Sequence, residues 1–333
     1  MGNDKRCNKT NFVKDLKVGD RVNTLLAVIE KNLINYSTPN RAGEQFMRLL
    51  LGDVSGTITG VVWDNAPEIS RTFERDDIVQ VKGEINDYKG PQIIINSIQK
   101  VSKEEVDPAS FQAATSKDRR QMFDRIKELI TKKVEGKFLK RLLFDFFKDE
   151  EFCRSFVKAP GGRLIHHNYV GGLMEHSLEV AEVVLKMVDL YPDFLNKDLL
   201  VTSAILHDIG KIKEYDLNSI SFQMTDRGKL IGHITMGREM VMERALKIDG
   251  YPEDIMLELE HMVLSHHGKK EWGAPEIPKT MNAFALYYGD LISARLNQFE
   301  NLVKDSLVKE VKWSDWDRFL ERNVFLPDYL KEE

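Results

Sequence analysis

Cysteine is scarce in this chain: 333 residues contain only Cys7 and Cys153, far apart and in no CxxC pattern. Two such residues build neither a disulfide framework nor a thiolate metal site, and they point to a reducing compartment. No apolar run approaches the roughly eighteen residues that a membrane-spanning helix needs. The opening MGNDKRCNKTNF is polar and lacks the apolar core of a signal peptide, so a cytoplasmic location is expected. Low-complexity tracts and fixed-period repeats are also lacking. Nor is positive charge in excess: the net charge is -5, so nothing global marks a nucleic-acid binder. One stretch departs from this balance. Lys117 to Arg141 holds ten Lys/Arg against four Asp/Glu. Such a run either tracks a phosphate backbone or forms a solvated helix face.

With 42% hydrophobic and 30% charged residues the chain has an ordinary globular composition, and its length suits two domains. Its character changes near residue 105. Before it, RVNTLLAVIE, QFMRLLLGD, SGTITGVVW, DIVQVKGEI and PQIIINSIQKV are separated by turn residues and read as five strands. Five strands in about 90 residues suit a small OB-type Greek-key barrel, a fold that binds oligonucleotides or oligosaccharides. Residues 101–120 read as a linker passing into a helix. Beyond them the pattern is helical: Met122, Ile126, Leu129 and Ile130 share one apolar face, and six further helical stretches follow. The expected fold is therefore multidomain α and β, a small OB-like barrel (12–103), a linker (104–120) and an all-α helical domain (121–325).

All eight histidines lie between residues 166 and 267. His207 and Asp208 are adjacent in LHDIGK, and Gly210 suggests a left-handed helix stop just after them. His266 and His267 form a second pair before Gly268. His176 lies early in an amphipathic helix with Val180, Val184 and Met187 on its buried face, and His233 follows Gly232. Asp290 sits in the apolar helical run ALYYGDLISA, where a carboxylate is costly to bury unless paired or metal-bound. Five imidazoles and two carboxylates suit Mn²⁺, Fe²⁺, Co²⁺, Ni²⁺ or Zn²⁺ rather than Ca²⁺ or a structural zinc. Two such ions about 3.5–4 Å apart, bridged by a carboxylate, would suit in-line displacement at a phosphodiester.

These motifs resemble the HD-domain metal phosphohydrolases over about residues 156–298. The resemblance rests on HDIGK, on His176 as first histidine and on Asp290 as last aspartate. It implies that His176, His207, Asp208 and Asp290 hold one metal. Asp208, as a bridge, would hold the other with His233, His266 and His267. It also implies that Lys211 stabilises charge near the scissile phosphate, with Asp208 and Lys211 the catalytic pair. Over nearly the whole chain, the barrel together with HHNYVGGLMEHSLEVA and LSHHGKKEWGAPEIP is similar to the YhaM-type 3′→5′ exoribonucleases. That similarity implies Mn²⁺-dependent removal of nucleotides from the 3′ end of single-stranded RNA, and of single-stranded DNA. Around the last aspartate the chain departs from the family: Tyr287 replaces a histidine and Ser293 an aspartate.

Secondary candidates follow. His167 is expected to contact substrate, ahead of His166, and His261 is set aside as a ligand because it is turned away from His266. Trp272 is a candidate wall or base-stacking residue. Phe46, Trp63 and Tyr88, with Arg48 and Lys89 nearby, are candidate strand contacts of the barrel, although small-barrel aromatics also serve as core. The partners implied are single-stranded nucleic acids, with a homo-oligomer left open and no membrane. The competing readings are a phosphodiesterase for small nucleotides or cyclic dinucleotides, and a non-catalytic nucleic-acid binder.

Overall fold

The computed structural model describes residues 9, 11–36, 39–41, 43–88, 90–107, 110–162, 167, 169–308 and 311–331. Lys89 and His166 lie outside them. The chain divides into two compact units. The first comprises Met1–Ala113 with Asn218–Ser221, and the second Ala114–Leu217 with Phe222–Glu333.

The first unit is a closed five-stranded barrel of β1 (Arg21–Asn35), β2 (Gln45–Asp53), β3 (Gly56–Val62), β4 (Ile78–Asp87) and β5 (Pro91–Val101), in the order β1-β2-β3-β5-β4. Closure depends on the length of β1, whose first half pairs with β4 and second half with β2. A register shift between Val28 and Glu30 marks the changeover. Alternation puts Leu26, Val28, Met47, Leu49, Leu51, Val79, Val81 and Ile93 inside the barrel. The sequence reading missed the one-turn helix α1 (Ala66–Ile69) between β3 and β4. It also took residues 101–120 as a linker. Within that stretch, Val106 and Phe111 are buried against Leu25, Ala27 and Ile78, because two apolar side chains suffice to pin an irregular segment to the barrel wall.

The second unit is helical: α2 (Arg119–Lys132), α3 (Lys137–Phe147), α4 (Glu150–Lys158), α5 (Gly172–Leu190), α6 (Lys197–Leu206), α7 (Lys211–Glu214), α8 (Asp226–Ile231), α9 (His233–Ala245), α10 (Glu253–Ser265) and α11 (Met281–Val308). Asp118 caps α2 by accepting from the N–H groups of Arg120 and Gln121. The face that α2 buries is the expected one of Met122, Ile126, Leu129 and Ile130. Helix α5 packs against α6 and α11 at the centre of the core. The basic run of α2 and α3 is largely a solvated face: Lys117, Arg125, Lys132 and Arg141 each pair with a carboxylate. No helix among the described residues is long and apolar enough to cross a membrane.

Candidate active site

Five helices and the turns at their ends deliver the seven expected ligand side chains to one place, and a sixth, α7, adds Lys211. His176 projects from the second turn of α5 and is fully buried. His207 is the C-cap of α6, with Asp208 in the turn that follows. Lys211 starts α7 and His233 starts α9. His266 is the C-cap of α10, followed by His267, and Asp290 lies mid-way along α11. Two of the histidines thus sit at helix C-termini, whose partial negative charge favours a cation. Gly210 corrects the sequence reading: its φ is -60°, so it is not a left-handed stop. It is required for close approach instead, since a Cβ there would stand 1.9 Å from the His233 carbonyl oxygen.

All five imidazoles are held from behind through Nδ1. That of His207 lies 2.9 Å from the Ala204 carbonyl oxygen and that of His266 2.8 Å from the Val263 carbonyl oxygen. That of His267 lies 3.0 Å from the Trp272 carbonyl oxygen, and that of His233 3.0 Å from Glu214 Oε1. Carbonyl and carboxylate oxygens only accept, so Nδ1 carries the proton in each case. His176 Nδ1 lies 2.9 Å from Ser293 Oγ, which in turn donates to Glu179 Oε2 at 2.7 Å. Ser293 therefore accepts from His176 as well. Every Nε2 therefore faces inward, and in the neutral Nδ1–H form each offers the lone pair that ligates a metal.

The inward atoms form two groups, each with its donors within 4.8 Å of one another: His176, His207 and Asp290; and Asp208, His233, His266 and His267. Asp208 reaches both. Its Oδ2 lies 3.4 Å from His207 Nε2 and 3.6 Å from His176 Nε2. Its Oδ1 lies 3.4 Å from the Nε2 atoms of both His233 and His266. Asp290 Oδ1 is 3.1 Å from His176 Nε2. Asp208 Oδ1 and His266 Nε2 are buried, face each other and have no hydrogen-bond partner among the described residues. A buried carboxylate oxygen set against imidazole lone pairs is unfavourable by itself and fits a divalent cation between them.

The electrostatics agree. Burial pushes His176 down to about 4 and His267 down to about 3, and it lowers His266 too, so these imidazoles are neutral near pH 7. His207 is the exception, because the Asp208 charge outweighs its burial and raises it. Burial would raise Asp208, but Lys211 and His207 hold it well below the usual carboxylate range. His176 does the same for Asp290. Lys211 Nζ lies 2.5 Å from Asp208 Oδ2 and also donates to the Gly161 carbonyl oxygen. A cleft of about 800 Å³ opens onto Asp208, Lys211, His233, His267 and Asp290.

Comparison with known proteins bears on this site. The HD domain family pattern matches residues 173–312, and an OB-fold nucleic acid binding domain pattern matches residues 28–101. The 3′-5′ exoribonuclease YhaM of Geobacillus sp. (strain WCH70) is 32% identical over 290 residues, covering 86% of each chain. That of Oceanobacillus iheyensis is 35% identical over 77% of this chain and 79% of its own. That of Bacillus subtilis is 32% identical over 86% of this chain and 89% of its own. This chain belongs to the YhaM family.

As a YhaM family member it explains its own two departures. Ser293, where the family pattern led one to expect an aspartate, passes the carboxylate role to Glu179 one helix away. Tyr287 packs its ring over Gly268, where a Cβ would lie 2.2 Å from it, and so backs the turn that carries His267. His261 is apart from the site: its Nε2 accepts from the Lys279 N–H. His167 corrects the expectation of a substrate contact. It is fully buried behind His176, with Nε2 3.3 Å from Glu179 Oε2, and burial there leaves no surface for a substrate. Trp272 lies on the cleft wall, half-exposed, and its carbonyl oxygen positions His267. Sequence reasoning missed Glu179 and Glu214. Their only signals were a carboxylate one turn after His176 and another one turn after Lys211.

The barrel of this YhaM relative carries an aromatic cluster on its outer wall. Phe46 and Arg48 alternate with the buried Met47 and Leu49 on β2, and so point outward. The Phe46 ring lies 5.0 Å from Trp63 and 5.2 Å from Tyr36, a residue the sequence reading did not single out. The Arg41 guanidinium stacks 3.8 Å from the Tyr36 ring. None of Phe46, Trp63 and Tyr88 is fully buried core; Trp63 and Tyr88 are exposed. Tyr88 is not part of the cluster. Parallel pairing of Thr59 with Gln92 puts its turn toward the start of β3, whereas Trp63 follows the end of that strand.

Proposed function

We propose that this chain is a cytoplasmic, metal-dependent 3′→5′ exoribonuclease that hydrolyses phosphodiester bonds of single-stranded RNA and, by the same chemistry, single-stranded DNA. The observation that carries the reading is Asp208, whose two oxygens each face a separate histidine group. A carboxylate so placed would be able to hold two ions. His176, His207 and Asp290 complete one set of ligands, and His233, His266 and His267 the other. Mn²⁺ is the expected ion, with Fe²⁺, Co²⁺, Ni²⁺ and Zn²⁺ fitting the same donors. Bound there, such ions supply an activated water and neutralise charge on the scissile phosphate. The protein's part is to hold the geometry. Ser293, Glu214 and the three carbonyl oxygens fix each ring, and Lys211 presents an ammonium at the cleft for the charge developing on the phosphate. Residues 121–325 would be the catalytic domain and residues 12–103 the strand-capturing domain, with Phe46, Arg48, Trp63, Tyr88 and Lys89 touching the strand.

Purified protein with Mn²⁺ and 5′-labelled single-stranded RNA should give a ladder of shortened, still-labelled products, and labelled single-stranded DNA the same. Release of the label first as a mononucleotide would reverse the polarity. Turnover of cyclic dinucleotides beside intact RNA would favour the small-nucleotide reading. Metal analysis should find two ions per chain. Asp208→Ala should lose metal and cut hydrolysis by at least about 10³-fold, because several kcal/mol of charge stabilisation depend on it. A fully active Asp208→Ala enzyme would overturn the assignment.

A further inference from the structure

The HD pattern ends at residue 312, yet the cleft over the metal ligands is walled beyond that point by the turn Asp317–Arg322. This turn is rigidly built. Asp317 and Arg322 exchange backbone hydrogen bonds at 3.0 and 3.3 Å. Asp317 Oδ1 accepts from the N–H groups of Phe319 and Leu320 and from Gln298 Nε2 of α11. Arg295, also on α11, donates from Nη1 to the Phe319 carbonyl oxygen at 2.8 Å. The turn is thereby anchored to the helix that carries Asp290.

Two guanidiniums of this turn, Arg318 and Arg322, line the same cleft as Asp208, Lys211 and His233. Both are exposed. Arg318 lies 4.5 Å from the Phe319 ring, and Arg322 Nε donates to the Leu320 carbonyl oxygen. Neither forms an ion pair among the described residues, although many other cations of the helical unit do. Of the turn's two carboxylates, Asp317 is held by the Phe319 and Leu320 N–H groups and Gln298, and only Glu321 lines the cleft, so the side chains that the turn presents there are net positive.

A positive, pre-ordered wall across a cleft from a phosphodiester-cleaving centre has a chemical counterpart. We propose that Arg318 and Arg322 form a phosphate subsite that grips the strand 5′ to the scissile bond, holding the backbone of single-stranded nucleic acid while its 3′ end lies over the ligands. Guanidinium forks suit this role because they pair with phosphate oxygens in fixed geometry and stay charged at any working pH. The proposal rests on the exoribonuclease reading of the site.

Its test compares two substrates. Arg318→Ala/Arg322→Ala should raise KM for a 5′-labelled single-stranded RNA of about twenty nucleotides by roughly tenfold or more. The slope of log affinity against log salt should fall by about 0.7 for each phosphate that is no longer neutralised, about 1.4 for the pair. Turnover of bis(p-nitrophenyl) phosphate, too short to reach the turn, should stay unchanged, as should metal content. Arg318→Lys/Arg322→Lys should recover most of the strand affinity. An RNA KM and salt slope equal to those of the parent would sink the subsite while leaving the parent's RNA ladder, and with it the exoribonuclease reading, intact. Equal losses on RNA and on the small diester would show that the turn merely supports the catalytic fold. A parent protein that cleaves no RNA would overturn both.

Discussion

At the scale of single residues, the fine positioning of His176 is where this chain parts from its family pattern. Its Nδ1 proton goes to Ser293, and the Ser293 hydroxyl goes to Glu179, which also meets His167 and Lys117. Burial would raise the Glu179 carboxyl, but its hydrogen bonds to His167, Lys117 and Ser293 keep it down at about 2, so it stays anionic and able to orient the relay. Removing the middle member should loosen the ring without touching a ligand. Ser293→Ala is expected to weaken metal binding by roughly 10–100-fold, the usual cost of losing an outer partner of a ligand. Titration of the metal-stripped protein with Mn²⁺ would read this directly, and an unchanged affinity would show that the relay does no positioning.

At the scale of elements, turns and faces matter more than side-chain identity. Gly268 ends the α10 ligand pair with φ +74°, and Tyr287 occupies the space a side chain would need. Gly268→Ala combines left-handed backbone strain with overpacking, so it should cost roughly 2–4 kcal/mol of stability and displace His267. Denaturant unfolding of the variant beside the parent measures that cost, and equal midpoints would refute it. On the barrel, the Tyr36, Phe46 and Trp63 rings form an outward platform beside Arg48. Trp63→Ala should weaken single-strand binding by ~1–3 kcal/mol for the base that stacks there. Fluorescence anisotropy with a labelled oligonucleotide would detect this, and unaltered affinity would return Trp63 to a purely structural role. Sequence showed the aromatics but not their grouping, since Tyr36 precedes the β1–β2 connection and Trp63 follows β3.

At the scale of the whole molecule, concentrating five imidazoles in one buried place has a cost at acid pH. In the metal-free protein burial holds His176 down at about 4, whereas an unfolded histidine titrates near 6.5. Between those values the unfolded chain binds the extra proton, so stability falls as pH falls, by on the order of 3 kcal/mol for this group alone. His267, held at about 3, acts in the same direction. The melting temperature of metal-stripped protein should therefore drop steeply from pH 6.5 to pH 4. A flat profile over that range would contradict the packing described for His176.

Much of this was legible in the chain itself. Alternating runs between turn residues specified β2 to β5 to within about two residues, because a barrel strand buries every second side chain, whereas β1 was read only as far as Glu30 and runs on to Asn35, where the alternation is lost. The seven side chains that the structure brings together were legible because histidines and aspartates in such a pattern have few other reasons to cluster, and because their motifs resemble those of a known family. Tertiary structure decided the rest. That Asp208 reaches both groups depends on the meeting of α5, α6, α9 and α10. That His167 is buried depends on α11 closing over it. That Ser293 relays to Glu179 spans 114 residues of chain, and Arg318 and Arg322 reach the cleft only because Arg295 and Gln298 fasten their turn to α11. Local pattern records which side chains a residue type needs near it, whereas only packing determines which distant helix supplies them.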